Sequence, residues 1–218
     1  MSTEMTSLQE KIRAELDNVR NTVAAPSSNA ISCAGKVFTL PDGRADQGPL
    51  SCVILDHRNF NRYYSQPYDQ NNPVPPQCFA ISKDITGMAP HAEAAEPQSE
   101  DCATCPLNQW GSAPTGKGKA CRNTVKLAIA PIDADSDTEP MTLIVSPTGL
   151  KSWAAFVNSL ETIGKLPIQA VAEISFDPKS AYPSLRFAIR EFHDDLETFW
   201  AIREKAQAIL DAPPASGS

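Results

Sequence analysis

Histidine is scarce, with three in 218 residues, His57, His91 and His193, and none paired at ligand spacing. No group of carboxylates stands at metal-ligand spacing either. Together with the absence of a Gly-x-Ser-x-Gly elbow and of a glycine-rich phosphate loop ahead of a helix, this leaves no catalytic set on which to build an enzyme. Gly116-Lys-Gly-Lys119 is only a fragment of a phosphate loop, because no strand precedes it and no Ser or Thr follows the lysine; it reads as a flexible basic loop. No apolar run approaches the roughly 18 residues that span a bilayer, and Met1-Ser-Thr-Glu-Met5 has neither the basic nor the apolar region of a signal peptide. The sequence therefore predicts a non-enzymatic protein without a membrane partner, held in the cytoplasm where it is made. In that compartment its six cysteines are expected as metal ligands or core thiols rather than disulfides.

What the sequence does contain is enough apolar residue, 41% against 21% charged, to bury a real core. The net charge of −7 argues against coating nucleic acid through total charge. Its distribution matters more: Cys102 to Pro131 has no Asp or Glu but carries Lys117, Lys119, Arg122 and Lys126, just after the acidic Glu93, Glu96, Glu100 and Asp101. Four cysteines, Cys78, Cys102, Cys105 and Cys121, fall in a stretch of turn residues too polar to form a core of its own. Cys102-Ala-Thr-Cys105 has the spacing of a zinc knuckle, so the four are predicted to hold a structural Zn²⁺, with His91 as an alternative ligand. His91-Ala-Glu93 ahead of the knuckle imitates a zinc deaminase signature, but residues 94–101 are too few to hold the strand and turn that such a site needs.

The elements follow from periodicity. Ser7 to Glu10 reads as a capping box, and Leu8, Ile12, Leu16, Val19 and Val23 form the stripe of an N-terminal helix that either packs on its own domain or self-associates. Strand-like runs follow at 31–40 and 51–56, with Cys33 and Cys52 as buried thiols. Phe60, Tyr63, Tyr64 and Tyr68 concentrate aromatic surface, either as half-buried packing or as a stacking platform for bases. Strands at 123–131 and 141–145 precede a helix capped by Ser146 with Pro147 in its first turn, lined by Leu150, Trp153, Val157 and Leu160 and ended by Gly164. A hairpin turns at Asp177-Pro-Lys-Ser180, and Asp194 or Asp195 caps a last helix before a disordered tail.

This order predicts a mostly β protein with helices: an OB-fold-like β-barrel at 30–190 carrying a zinc-stapled insertion at 78–121, preceded by a helix and linker at 1–29 and followed by a helix and tail at 191–218. The run from Tyr63-Tyr64 through Pro67-Tyr68-Asp69 to Pro75-Pro-Gln-Cys78-Phe79, with Cys102-Ala-Thr-Cys-Pro106, Asn108, Trp110-Gly-Ser112 and Gly118-Lys-Ala-Cys121, resembles a group of bacteriophage and prophage proteins. In layout the chain is also similar to phage helix-destabilising single-stranded DNA-binding proteins, although it lacks their long acidic tail. That resemblance implies a phage-type single-stranded DNA-binding protein, in the host cytoplasm, that protects or organises single strands during replication or recombination alongside other proteins of those processes. The residues expected to serve it are Lys117, Lys119, Arg122 and Lys126 on phosphates, giving a log-log salt slope near −3 for about four contacts, and Tyr63, Tyr64, Tyr68, Phe79 and Trp110 on bases. The competing expectation is a zinc-stabilised, non-enzymatic protein-interaction module.

Overall fold

The computed structural model describes residues 29–66 and 74–214. The predicted N-terminal helix with its stripe, Tyr68, and residues 215–218 of the tail lie outside them. In chain order the elements are β1 (Ala30–Ile31), β2 (Phe38–Thr39), β3 (Ala45–Asp46), β4 (Leu50–Tyr63), β5 (Cys78–Ser82), β6 (Arg122–Pro131), β7 (Met141–Val145), α1 (Leu150–Thr162), β8 (Ala170–Phe176), β9 (Leu185–Phe192) and α2 (Leu196–Asp211). Apart from the small β2–β3 hairpin, the strands form one seven-stranded sheet in the order β1-β7-β6-β4-β8-β9, with β5 added to β4. All its pairings are antiparallel except β1 with β7.

The sheet is organised by β4, which is 14 residues long. One flank pairs along most of its length with β6, from Cys52 to Arg62. The other flank is shared: Leu50 to Val53 pair with β8, and Asn59 to Tyr63 pair with β5. The half of β4 next to β8 lies between two helices. Ile54, Leu127 and Ile129 join Trp153, Phe156 and Leu160 of α1 in one buried cluster, while Val53, Leu55, Ala128 and Ala130 join Phe199, Ile202, Ala206 and Leu210 of α2 in another. Both faces of the strand are therefore apolar, which is why Val53-Ile-Leu55 and Leu127-Ala-Ile-Ala130 are unbroken runs rather than alternations.

The predicted barrel is overturned by this arrangement. The described residues form a mixed α/β structure of two helices and open sheets, with β1 and β9 as separate edges. The physical reason lies in α2, expected as a flanking helix, whose apolar side instead covers the sheet face opposite α1. A sheet buried by helices on both faces has no reason to roll up around a core of its own. The zinc-stapled part of that expectation is not formed either: among the described residues no group of three or more His, Cys, Asp and Glu side chains is set to hold a metal ion.

Local departures have local causes. The run at 31–40 breaks at a tight turn, Ala34–Lys36, where Gly35 and Lys36 take positive φ. The first helix starts at Leu150 rather than at the Ser146-Pro147 signal. Residues 146–149 form a turn closed by the Gly149 amide on the Ser146 carbonyl (2.9 Å), and Gly149 sits so close to Val145 and the Leu185 backbone that a Cβ would lie 3.0 and 3.3 Å from them. Asp195, one of the two predicted caps, accepts the Thr198 amide at the start of α2. Gly164 follows α1 with φ +68.

Candidate functional site

Beyond the two helices, the far half of β4 carries β5 and the cysteine loop. Cys78 opens β5 opposite Tyr63, and Cys121 immediately precedes β6. Having little apolar content, the loop is held by polar contacts. The Asp101 carboxylate accepts the amides of Ala103 and Thr104 (3.2 and 3.1 Å) and the Thr104 hydroxyl (3.0 Å), fixing the Cys102–Cys105 turn. Asn108 donates to the Cys102 carbonyl (2.6 Å), and Gln109 donates to those of Ala103 and Cys105 (2.8 and 3.1 Å). The Cys121 amide returns to the Leu107 carbonyl (2.8 Å).

Cys78, Cys102, Cys105 and Cys121 all line one small cavity of about 20 Å³, with Asn61 and Tyr63 of β4 beside them. That space suits a single water-sized particle. Burial pushes the Cys121 thiol up to about 12, and the charges of Cys102, Cys105 and Cys78 add to it. Cys102 is raised by burial and by Cys78 and Cys105, against a lowering hydrogen bond from Asn61. Four thiols that influence one another electrostatically are the residue types of a soft-metal thiolate centre, but among the described residues they do not form a group set to hold a metal ion. The residue types suit Zn²⁺, but the side chains as placed do not form a site for it. His91 does not line the cavity; its ring stacks on Phe79 (4.9 Å) and its Nδ1 accepts the Glu93 amide. The other two cysteines belong to the core: Cys52 is buried in it and Cys33 packs against it, with thiols raised by burial to about 12 and about 11.

Sharing Tyr63 and Leu107 with this cavity is a groove of about 680 Å³, lined also by Arg62 and Tyr64 at the strand end, by Lys119 and by Arg122, the strand neighbour of Arg62. The Arg122 guanidinium lies over the Tyr64 ring at 5.9 Å. Arg62 reaches over Phe60 at 4.7 Å and is hydrogen-bonded with Tyr64. Burial lowers the Arg62 pKa, but an arginine remains a cation at neutral pH. Among the described residues, no carboxylate lines the groove.

Of the nine residues expected on nucleic acid, Tyr63, Tyr64, Lys119 and Arg122 meet in this groove. Lys117 and Trp110 are exposed on the same loop, Trp110 at 81%. Two are withdrawn. Phe79 is buried in a small cluster with Phe60 and Ala94, so its face is closed to bases. Lys126 donates to the Ile209, Leu210 and Ala212 carbonyls at the end of α2, so its charge is spent on a helix C-terminus. Arg62 was missed, yet alternation along the strand puts Phe60, Arg62 and Tyr64 on one face, a signal present in the sequence. No helix among the described residues is long and apolar enough to cross a membrane. Comparison with protein-family models, with curated proteins and with solved structures finds no match for the chain, so the functional argument rests on this geometry.

Proposed function

We propose that the protein binds single-stranded nucleic acid, with DNA of phage replication or recombination as the substrate that the sequence resemblance suggests. The observation that carries this reading is the groove itself: aromatic rings and three cations, Arg62, Lys119 and Arg122, share one channel with no lining carboxylate among the described residues, on a chain whose net charge is −7. Rings stack bases of any identity and cations follow the backbone, which is the division of labour in single-strand binding. In the cysteine cavity, Zn²⁺ would be held by Cys78, Cys102, Cys105 and Cys121. The ion would supply a positive charge that turns buried thiols into thiolates and fastens the loop, a structural role in which four sulfurs leave no open position for water.

The test is fluorescence anisotropy with a labelled single-stranded oligonucleotide and a duplex control. Binding should favour the single strand and weaken with salt. With Lys126 committed to α2, the three groove cations set a log-log slope of about −2 rather than the steeper value expected from four contacts. Affinity unchanged between low and moderate salt would refute the reading. Absence of binding to any oligonucleotide would instead favour the protein-interaction module.

A further inference from the structure

A second groove, of about 650 Å³, shares Asn61, Cys102 and Asn108 with the cysteine cavity. The two grooves are joined by the geometry of one strand. His57, Asn59, Asn61 and Tyr63 alternate along β4 and so share a face. The first three line the second groove, Asn61 also lines the cysteine cavity, and Tyr63 lines that cavity and the first groove. Lys119 lines both grooves, its Nζ held by Asn108 Oδ1 at 3.2 Å. Both grooves therefore border the cysteine cavity and share Lys119, the point at which a chain bound in one would pass into the other.

The second groove has a different chemistry. Its floor and α1 wall present the amides of Asn59, Asn61, Asn123 and Asn158 beside Trp153, while its charged residues other than Lys119 are Lys83 and Asp84. Asn61 is engaged, accepting from Asn123 Nδ2 (2.6 Å) and donating to the Met88 sulfur. Among the described residues, the Asn158 side chain and the Oδ1 atoms of Asn59 and Asn123 take no hydrogen bond from the protein. Neutral amides offer donors and acceptors together, and their free acceptor oxygens suit base edges, which carry both, rather than phosphate, which only accepts. Each groove falls within the roughly 300–1,000 Å³ that encloses a small ligand, so neither takes more than a short piece of chain.

We infer that the second groove reads the bases of the same strand, so that affinity depends on base identity once the strand is long enough to pass Lys119. This rests on the proposed single-strand binding and deepens it: the first groove supplies composition-independent affinity and the second supplies preference. The four homopolymers should then bind alike as oligomers of about four nucleotides and differ by roughly fivefold or more as oligomers of about twelve, the scale of a bidentate base contact.

The experiment measures the full-length protein and its Asn158→Ala variant against both oligonucleotide lengths at one salt concentration, with Asn123→Ala as a second variant. Asn158 is exposed on α1, so its substitution leaves folding intact. The expected result is a preference among long homopolymers that both variants flatten, with binding of the short ones unchanged. Long homopolymers binding alike to the unmodified protein, or a preference that survives both substitutions, would overturn the inference while single-strand binding stands. No binding to any single strand would overturn both.

Discussion

At the scale of the residue, similar side chains divide by what they are already bound to. Tyr64 lines the groove with its ring beneath the Arg122 guanidinium, so Tyr64→Ala should weaken single-strand binding by about 1–3 kcal/mol and affect binding more than thermal stability, measured by anisotropy and melting on the same sample. Lys126 should behave in the opposite way. Its ammonium group satisfies carbonyls at the end of α2, so Lys126→Ala should cost about 1 kcal/mol in urea denaturation and leave the affinity and its salt slope unchanged. A salt slope that falls with Lys126→Ala would return this lysine to the binding surface. The sequence could not separate the two cases, because the basic run 117–126 reads as one patch and the partner of Lys126 lies more than 80 residues away. The same limit applies to Phe79: its aromatic type is visible, but its burial against Phe60 and Ala94 comes from pairing between β5 and β4.

At the scale of the element, α2 is both packed on the sheet and clamped to it. Asp56, 7% exposed, accepts Arg203 at 3.0 Å and Gln207 at 3.1 Å, while Arg58 binds Asp211 at 2.6 Å and Gln207 at 2.7 Å. Burial alone would raise the Asp56 pKa. Hydrogen bonds from Gln207 and the His57 amide, with the charges of Arg203 and Lys83, outweigh it and hold the carboxyl below its ordinary value. A depressed carboxylate contributes stability that is present above its unfolded pKa, about 3.9, and is lost as pH falls through the lower folded value. Melting temperature should therefore decline through that acid window, and Asp56→Asn should flatten the decline. At neutral pH the same variant should destabilise by about 3–5 kcal/mol, because Arg203 and Arg58 lose a buried anion. An Asp56→Asn variant with an unchanged acid profile would show that the clamp does not set it. The helix was legible from its periodicity and Asp195 cap, but its place was not. Element order is compatible with several pairings, and only the two-sided burial of β4 and β6 selects the open sheet over the barrel.

At the scale of the whole molecule, stability and binding are assigned to different regions. The clusters that α1 and α2 form with the sheet contain none of Cys78, Cys102, Cys105 and Cys121, whereas the cavity those four line borders both grooves. Losing whatever holds the cysteines together should therefore move the loop residues Leu107, Asn108 and Lys119 before it melts the sheet. If Zn²⁺ is that element, elemental analysis of the purified protein should give about one zinc per chain, and a strong chelator should release it. Chelation should make four thiols newly reactive, because Cys33 and Cys52 stay in the core, and should weaken single-strand binding far more than it lowers the main melting transition. Cys105→Ser, at a buried position of the knuckle, should reproduce the loss of binding without chelator. Purified protein free of zinc, with four thiols equally reactive before and after chelation, would remove the metal from the account. Arg62 and Arg122 would still stand or fall by their own measurement, because they are held by strands β4 and β6, whereas Lys119 belongs to the loop.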